Sequence, residues 1–502
     1  MKKRLLFWIN GFILHFELAY YLQQQIDDEF FAIIDIPNNP KKMFLKQKLV
    51  NFKKTWYFHD EIKKTNKSPD LEYMSNFEKK YNIDLWKLAI NERYFYRFNR
   101  FYKFSKIEIL QILEQECRLF EEILDEAKPE YLLIYDPPFH HQKLLLDMCK
   151  SKGIKILCLY ISRIGGKSII ASDGGTFDLP QDLNLVNLDE FEKNEITIKN
   201  NQQEKNSSEY ASITKTYKIK RRASNLDKFK ALIDYIFLSD SMNTQASFMY
   251  YGRDKLKVIL DNILLIIKRR YRSYFMQKNL QSIVDLSVPY VYFPMNIEEE
   301  LSVLHYAPFF TDQIEVIKHV AKSLPIDYNL YVKEHPFAEF RGWHRIDEYK
   351  EIMDIPNVTL IHHSFSSEEL IKQSKLVVTL RGTGSFDCLF HNKPSLVFGD
   401  VPFSILPSVY TVDNLEKLPK LIEKALKTPV DPQYLQKYIK LIEEKTINFS
   451  MMDWEVLRNN QFFSGNTLSD IDISEEDVKQ FFSNTKEYFK PLLDAYLEKI
   501  NF

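Results

Sequence analysis

Two short polar segments of this chain have the residue types to bind an anion together. One is Lys333-Glu334-His335-Pro336, at the end of a short apolar run, and the other is Arg381-Gly382-Thr383-Gly384-Ser385, directly after a second apolar run. A strand that leads through a glycine turn into a helix aims free backbone N–H groups and the positive helix end at one point. A lysine and a histidine on a neighbouring strand end would add positive charge there. The combination suits the leaving phosphate of a nucleotide.

Each of these side chains has a functional and an ordinary interpretation. As an imidazolium, His335 would stabilise charge on the leaving phosphate, and a core histidine is the alternative. Lys333 is either a phosphate ligand or a solvated strand-end charge, and Arg381 pairs either with the phosphate or with a surface acid. The turn Gly382-Thr383-Gly384-Ser385 either binds the phosphate or simply caps a helix. We expect phosphate binding by His335 and by the turn.

A general base is expected in a loop that follows a parallel strand, because ligands gather at the carboxyl ends of such strands. Asp136-Pro137-Pro138 follows the strand-like segment Tyr131 to Tyr135, and Ser172-Asp173-Gly174 follows the segment Ile154 to Tyr160 in the same way. Asp173 is the first choice for deprotonating an acceptor hydroxyl, and Asp136 is the second. Both are also ordinary turn formers.

The composition is that of an ordinary globular chain. Hydrophobic residues make up 45% and charged residues 27% of its 502 residues, and Lys+Arg 68 against Asp+Glu 69 leaves a net charge of -1. This balance argues against a nucleic-acid partner. The sequence shows no CxxC spacing, no metal-ligand spacing, no signal-peptide cleavage site and no run near the ~20 apolar residues of a spanning helix. We therefore expect a cytoplasmic protein, peripheral to the membrane at most, with reduced thiols, no metal and no cofactor.

Alternating strand-like and helix-like segments predict two α/β domains with parallel sheets. The predicted divisions are an N-terminal domain over 1–188, a polar linker with a basic helical segment over 189–285, a second α/β domain over 286–450 and a helical tail over 451–502. The strands of the second domain are expected at Val288 to Phe293, Tyr328 to Lys333, Val358 to Ile361, Leu376 to Leu380 and Ser395 to Phe398. Helical sequence is expected from Pro40 to about Ala127.

A series of short motifs occupies the second predicted domain in a fixed order. In chain order they are Tyr290-Val291-Tyr292-Phe293-Pro294, Glu300-Leu301-Ser302, Phe310-Thr311-Asp312-Gln313, Leu324-Pro325, Tyr331-Val332-Lys333-Glu334-His335-Pro336, Ile355-Pro356-Asn357-Val358, Glu369-Leu370-Ile371, Val378-Thr379, Gly382-Thr383-Gly384, Lys393-Pro394, Phe398-Gly399 and Pro402-Phe403. Together they resemble the capsular polysaccharide biosynthesis family of bacterial surface-carbohydrate glycosyltransferases.

The resemblance implies a GT-B fold, in which two Rossmann-like domains face each other across a cleft, here with helical insertions. It implies a nucleotide-sugar donor, with Glu300 near the nucleotide and Asp387 at the ribose hydroxyls. Relatives with the His-Pro motif use CMP-linked sugars such as CMP-Kdo and CMP-sialic acid, so a CMP-linked donor is expected. The segment Ser385-Phe386-Asp387-Cys388 replaces the family's glycine, tryptophan, glutamate and alanine. The alternatives are a UDP-linked donor and a non-catalytic GT-B-like subunit of a polysaccharide assembly complex.

The resemblance also implies the partners of the protein. The acceptor is expected to be a growing capsular or surface glycan, or a lipid-linked form of it. In the basic helical sequence before the second domain, Lys268-Arg269-Arg270 follows Leu264-Leu265-Ile266-Ile267. Such a helix is either a solvated face or a contact with the anionic inner membrane, where lipid-linked acceptors lie. Contact with a capsule assembly complex is a further alternative.

Overall fold

The computed structural model describes residues 2–180, 229, 232–233, 235–237, 246–462 and 472–501. These residues form two compact units. The first contains 2–173 and 445–501 with the described part of 196–257, and the second contains 174–180 and 258–444. The predicted polar linker at 189–210 and the basic run at 218–222 lie outside the described residues.

The first unit is built on a six-stranded sheet with the order β3-β2-β1-β4-β5-β6. Its strands are β1 (Arg4–Asn10), β2 (Glu29–Asp35), β3 (Lys54–Tyr57), β4 (Tyr131–Tyr135), β5 (Lys155–Ile161) and β6 (Ser168–Ala171). The first five strands are parallel, whereas β6 runs antiparallel to β5. Strands such as β1 and β4 are almost wholly apolar because helices cover both faces of the sheet.

Seven helices of the first unit lie between these strands. They are α1 (Leu14–Leu22), α2 (Asn38–Lys46), α3 (Phe58–Glu61), α4 (Leu71–Tyr81), α5 (Leu85–Ile90), α6 (Lys106–Ala127) and α7 (His140–Ser151). The longest, α6, starts at a capping box in which Ser105 and Glu108 satisfy each other's backbone N–H groups. A short 3₁₀ helix spans Phe248–Tyr250.

The second unit contains a parallel six-stranded sheet with the order β12-β11-β10-β7-β8-β9. Its strands are β7 (Tyr290–Pro294), β8 (Asn329–Lys333), β9 (Val358–Ile361), β10 (Leu376–Thr379), β11 (Ser395–Val397) and β12 (Val409–Thr411). The five predicted strands are confirmed within two residues at each end, and β12 is additional. If the strands of this unit are numbered from one in chain order, the sheet order is 6-5-4-1-2-3, which is the doubly wound order of a Rossmann fold. The two-domain α/β fold class is therefore confirmed.

The helices of the second unit surround this sheet. They are α8 (Lys255–Asn279), α9 (Leu301–Leu304), α10 (Gln313–Ala321), α11 (Ala338–Arg341), α12 (Ile346–Met353), α13 (Ser367–Gln373), α14 (Gly384–Asp387), α15 (Leu418–Lys427) and α16 (Pro432–Lys445), with 3₁₀ helices at Cys388–His391, Pro402–Ile405 and Leu415–Lys417. The first turn of α8 and the last residue of α16 belong to the first unit.

The C-terminal helices α17 (Met451–Phe462) and α18 (Glu475–Asn501) belong to the first unit. Trp454 and Phe482 join the same apolar core as Phe16. The buried Glu17 of α1 accepts hydrogen bonds from Trp454 Nε1 at 2.9 Å and from the Thr485 hydroxyl at 2.6 Å. The predicted separate tail therefore completes the N-terminal core, because α1 leaves an apolar face that these helices cover.

Candidate nucleotide-binding site

The two predicted phosphate-side segments lie on either side of one strand end in the second unit. The Lys333-Glu334-His335-Pro336 segment follows β8 and the glycine turn follows β10, and both strands are hydrogen-bonded to β7. A Cβ added to Gly384 would lie 3.1 Å from Pro294 Cγ at the end of β7, and Pro294 pairs with Lys333 of β8. The fold therefore brings both segments to the strand-order reversal, where ligands bind in open α/β sheets.

A hydrogen-bond chain fixes the start of the glycine turn. The Thr379 hydroxyl donates to Asn296 Oδ1 at 2.9 Å and accepts the Gly382 N–H at 3.1 Å. Asn296 is itself held by Gln313 of α10, which exchanges two hydrogen bonds with its backbone. A Cβ on Gly382 would lie 2.6 Å from Thr379 Oγ1, so this position requires glycine.

The turn offers fewer free donors than its sequence predicts. The N–H groups of Ser385, Phe386 and Asp387 donate back to carbonyl groups of Gly382 and Thr383. Within the described residues, the N–H groups of Thr383 and Gly384 have no acceptor. Because α14 has four residues and continues as a 3₁₀ helix, its macrodipole is small. These two N–H groups are the donors that the turn can give to an anion.

Two predicted phosphate ligands have structural partners in this fold. The buried Ser385 hydroxyl donates to the Gly382 carbonyl at 2.7 Å. The Arg381 guanidinium donates to the carbonyl groups of Asp400 at 2.6 Å and Gly174 at 2.7 Å. It also lies 3.6 Å from the centre of the Tyr306 ring. Both side chains therefore hold the loops around the turn, and the sequence gives no sign of these partners.

His335 is half-buried at the start of the loop after β8. Its Nδ1 accepts the backbone N–H of Phe337 at 3.2 Å, so in this geometry the ring proton is on Nε2. Protonation to the imidazolium form would break this hydrogen bond, and that form stays a prediction. A neutral ring with an Nε2–H group still donates a hydrogen bond to a phosphate oxygen.

A buried acid that the sequence analysis leaves without a role fixes the His335 backbone. Glu334 is 1% exposed and accepts hydrogen bonds from the His335 N–H at 2.7 Å, from His344 Nδ1 at 2.6 Å and from the Tyr349 hydroxyl. Burial alone would raise the pKa of Glu334, but the His344 charge and these hydrogen bonds hold it below its usual value. Burial opposes the charge on His344, yet Glu334 raises the pKa of His344 to about 9. The pair locks the His-Pro turn to the loop before α12.

Lys333 is a buried cation beside two histidines that the sequence analysis missed. It is 3% exposed, donates to the Ser367 hydroxyl, and has its pKa lowered to about 8 by burial. Burial first, and then the Lys333 charge, lowers the pKa of His362, and burial with nearby charges lowers that of His363 to about 4. No carboxylate bonds to Lys333 among the described residues. The cluster Lys333-His362-His363 therefore carries the positive charge of Lys333, with two neutral imidazoles beside it, and is suited to an anion.

In and beside this cluster, some buried ring nitrogens make no hydrogen bond within the described residues. They are His362 Nε2, His363 Nδ1 and Trp343 Nε1. The rings of His362 and His363 have centroids 4.1 Å apart, and Trp343 lies 4.7 Å from His363. Both histidines directly follow β9, so the strand-end rule that selects Asp136 could have identified them.

Asp387 and Glu300 are exposed positions near the loops of the second unit. Asp387 ends α14, and Glu300 is the residue before α9, where its carbonyl accepts the N–H groups of Val303 and Leu304. Their roles at the ribose and nucleotide stay predictions.

The two predicted bases belong to the first unit, and each is placed by its own strand. Asp136 follows β4 at the carboxyl ends of the first sheet, and its N–H donates to the Leu159 carbonyl at 3.1 Å. Asp173 is different because β6 reverses the chain direction: Ala171 pairs with Cys158 in the middle of β5. Asp173 accordingly lies toward the amino end of β5, where it pairs with Lys150 at the end of α7 at 2.5 Å. The predicted carboxyl-end position of Asp173 is wrong.

Residues 211–409 match the family model described as capsule polysaccharide biosynthesis protein. The matched segment is less than half of the chain. The match includes every phosphate-side residue described above, and it confirms the family resemblance of the sequence. None of the curated protein sequences matches the chain.

Solved structures similar to this chain have low sequence identity. The β-Kdo 2,7-transferase KpsC of Thermosulfurimonas dismutans is 12% identical, with 61% of this chain and 80% of that chain covered and a TM-score of 0.29. The UDP-GlcNAc 2-epimerase of Methanocaldococcus jannaschii is 12% identical, with 88% and 100% covered and a TM-score of 0.24.

Proposed function

We propose that this protein is a glycosyltransferase of capsular or surface polysaccharide synthesis. The observation that carries the proposal is the pair of segments at the strand-order reversal of the second unit. There His335 and the N–H groups of Thr383 and Gly384 follow the two neighbours of β7. The match of 211–409 to the capsule polysaccharide biosynthesis family model supports the same activity.

In the proposed reaction an acceptor hydroxyl oxygen attacks the anomeric carbon of the donor. The bond from that carbon to the nucleotide phosphate breaks, and the phosphate leaves with the electron pair. The His335 Nε2–H and the Thr383 and Gly384 N–H groups stabilise the charge on the phosphate, which lets the step proceed without a metal at this site. Asp136, at the carboxyl ends of the first sheet, is the proposed base for the acceptor proton. Glu334 is a positioning residue for His335.

The proposed donor is a CMP-linked sugar acid, such as CMP-Kdo or CMP-sialic acid. Such a donor carries two anionic groups, one phosphate and one sugar carboxylate. The second unit offers two matching sites, namely the glycine turn with His335 and the cationic cluster Lys333-His362-His363. A UDP-linked sugar also has two anionic groups, both phosphates, and is the alternative donor.

Transfer by the purified protein tests the proposed activity. His335→Ala should lower the rate by about 100-fold, as loss of one transition-state donor commonly does. His319→Ala is the matched control, because His319 is also partly exposed but lies on α10. If neither the wild type nor the control turns over a CMP-linked or a UDP-linked donor, the result would favour the alternative that the protein is a non-catalytic subunit. Equal rates for His335→Ala and wild type would remove His335 from the mechanism.

We also propose that α8 rests on the membrane that carries the acceptor. Ile263, Ile267 and Tyr271 are 49%, 58% and 66% exposed on it, and Lys268 and Arg270 lie between them. In the described part of the chain no helix could cross a bilayer. The protein should sediment with vesicles that contain anionic lipid, and Ile263→Glu with Ile267→Glu should abolish this. Equal sedimentation with neutral vesicles would contradict the charge argument.

A further inference from the structure

The core of the first unit contains a cluster of histidines and acids that the proposed transfer reaction does not use. Glu116 lies on α6, and His140 and His141 are the first two residues of α7. All three are at most 1% exposed, and one ligand atom from each lies within 4.8 Å of the others. Sequence spacing does not show this group, because 24 residues separate Glu116 from His140.

The hydrogen bonds orient both imidazoles as metal ligands are oriented. His140 Nδ1 contacts Glu92 at 2.7 Å, which leaves Nε2 directed at Glu116 at 2.9 Å. His141 Nε2 contacts Asp35 at 3.4 Å. A carboxylate behind each imidazole fixes the tautomer and raises the basicity of the nitrogen that faces a metal.

Two further atoms of the cluster have no partner. Within the described residues, Glu116 Oε1 and His141 Nδ1 are fully buried and make no hydrogen bond. An unpaired carboxylate oxygen in an apolar core costs free energy unless a cation or a donor binds it. The ring of Phe58 stacks on His141 at 4.4 Å, so the site has an apolar neighbour on that side.

We propose that Glu116, His140 and His141 bind a divalent transition metal, with Zn²⁺ as the best match. Two imidazole nitrogens and one carboxylate are a known zinc ligand set, which leaves a fourth position open. Tetrahedral ligands at about 2.1 Å from zinc lie ~3.4 Å apart, so the widest pair of ligand atoms, within 4.8 Å here, must close by up to about 1.4 Å on binding. The site belongs to the first unit, and its proposal does not depend on the sugar-transfer activity.

Metal content of the full-length protein tests the site. The wild type, stripped with chelator and dialysed against Zn²⁺, should retain about one equivalent by mass spectrometry, and Glu116→Gln less than about a tenth of it. The amide oxygen that this substitution introduces can still accept the His140 proton, so a merely structural hydrogen bond survives. Glu122→Gln, an exposed position on the same helix, is the matched control and should bind like wild type.

A spectrum of the wild type keeps the test decisive if Glu116→Gln does not fold. Co²⁺ in the same site should give visible d–d bands without thiolate charge transfer, because its ligands are nitrogen and oxygen. Wild-type protein with no bound Zn²⁺ and no such bands overturns the proposal. So does equal Zn²⁺ content in wild type and Glu116→Gln.

Discussion

The buried pair Glu334–His344 should give the second unit a pH-dependent stability that one substitution removes. In His344→Asn the side-chain amide can occupy the place of Nδ1 and donate to Glu334, but it carries no charge. His344 has a pKa of about 9 in the folded chain against 6.5 for an ordinary histidine, and its side chain is 14% exposed. A shift of that size corresponds to about 3 kcal/mol of unfolding free energy.

The sign of the effect follows from the direction of the shift. Because the folded pKa of His344 is raised, its contribution is fully present below pH 6.5 and is lost as the pH rises through about 9. The stability difference between wild type and His344→Asn should therefore be near 3 kcal/mol at pH 6 and close to zero at pH 10. Comparing the two proteins cancels other titrating groups.

Urea unfolding at several pH values measures this difference. Trp343 is the only tryptophan within 258–444, so 5-fluorotryptophan labelling gives a fluorine resonance for unfolding of the second unit alone. Tyr349→Phe is the control, because it removes another hydrogen bond to Glu334 but no group that titrates near neutral pH. A gap between wild type and His344→Asn that stays constant from pH 6 to pH 10 would refute the reasoning.

Three further predictions concern the nucleotide side. Lys333→Met should stabilise the protein most below pH 8, where a buried charge is removed, and less as the pH rises toward 10.5. The same substitution should weaken binding of the CMP-linked sugar acid by calorimetry, and unchanged affinity for that donor would exclude Lys333 from the site. CMP should raise the melting temperature more than UDP at equal concentration, and the reverse order would favour the UDP-linked donor. Gly382→Ala should lower both the melting temperature and the CMP affinity, because the added Cβ would lie 2.6 Å from Thr379 Oγ1. Gly11→Ala is the control: its added Cβ would have nothing within 4 Å, so the CMP affinity should stay unchanged.

Local sequence determined the strands that are buried on both faces. Runs such as Leu376 to Leu380 have almost no polar residue that could face solvent, so their place in a covered parallel sheet follows from composition alone. Edge strands carry a weaker signal. The edge strand Lys54–Tyr57 is short and only partly buried, so its sequence has no clear strand pattern. We predict that region as helical.

The candidate site shows the same division between local and tertiary information. Residues 333–336 and 381–385 are recognisable because a strand end, a glycine turn and their order lie within a few positions of one another. The roles of their side chains depend on partners that the fold supplies: Asp400 and Gly174 bind Arg381, and Phe337 sets the His335 tautomer. A partner far away in sequence, such as Gly174 for Arg381, leaves no local pattern.

Chain direction and helix packing decided where Asp173, Glu116 and His140 lie, which no local sequence pattern indicates. The antiparallel turn into β6 moves Asp173 away from the carboxyl ends, although its sequence context resembles that of Asp136. Glu116 and His140 come from two helices whose facing positions are set by the sheet beneath them. Sequence determines the residue types and the strand pattern, whereas the electrostatic environment of each group arises only when the elements pack.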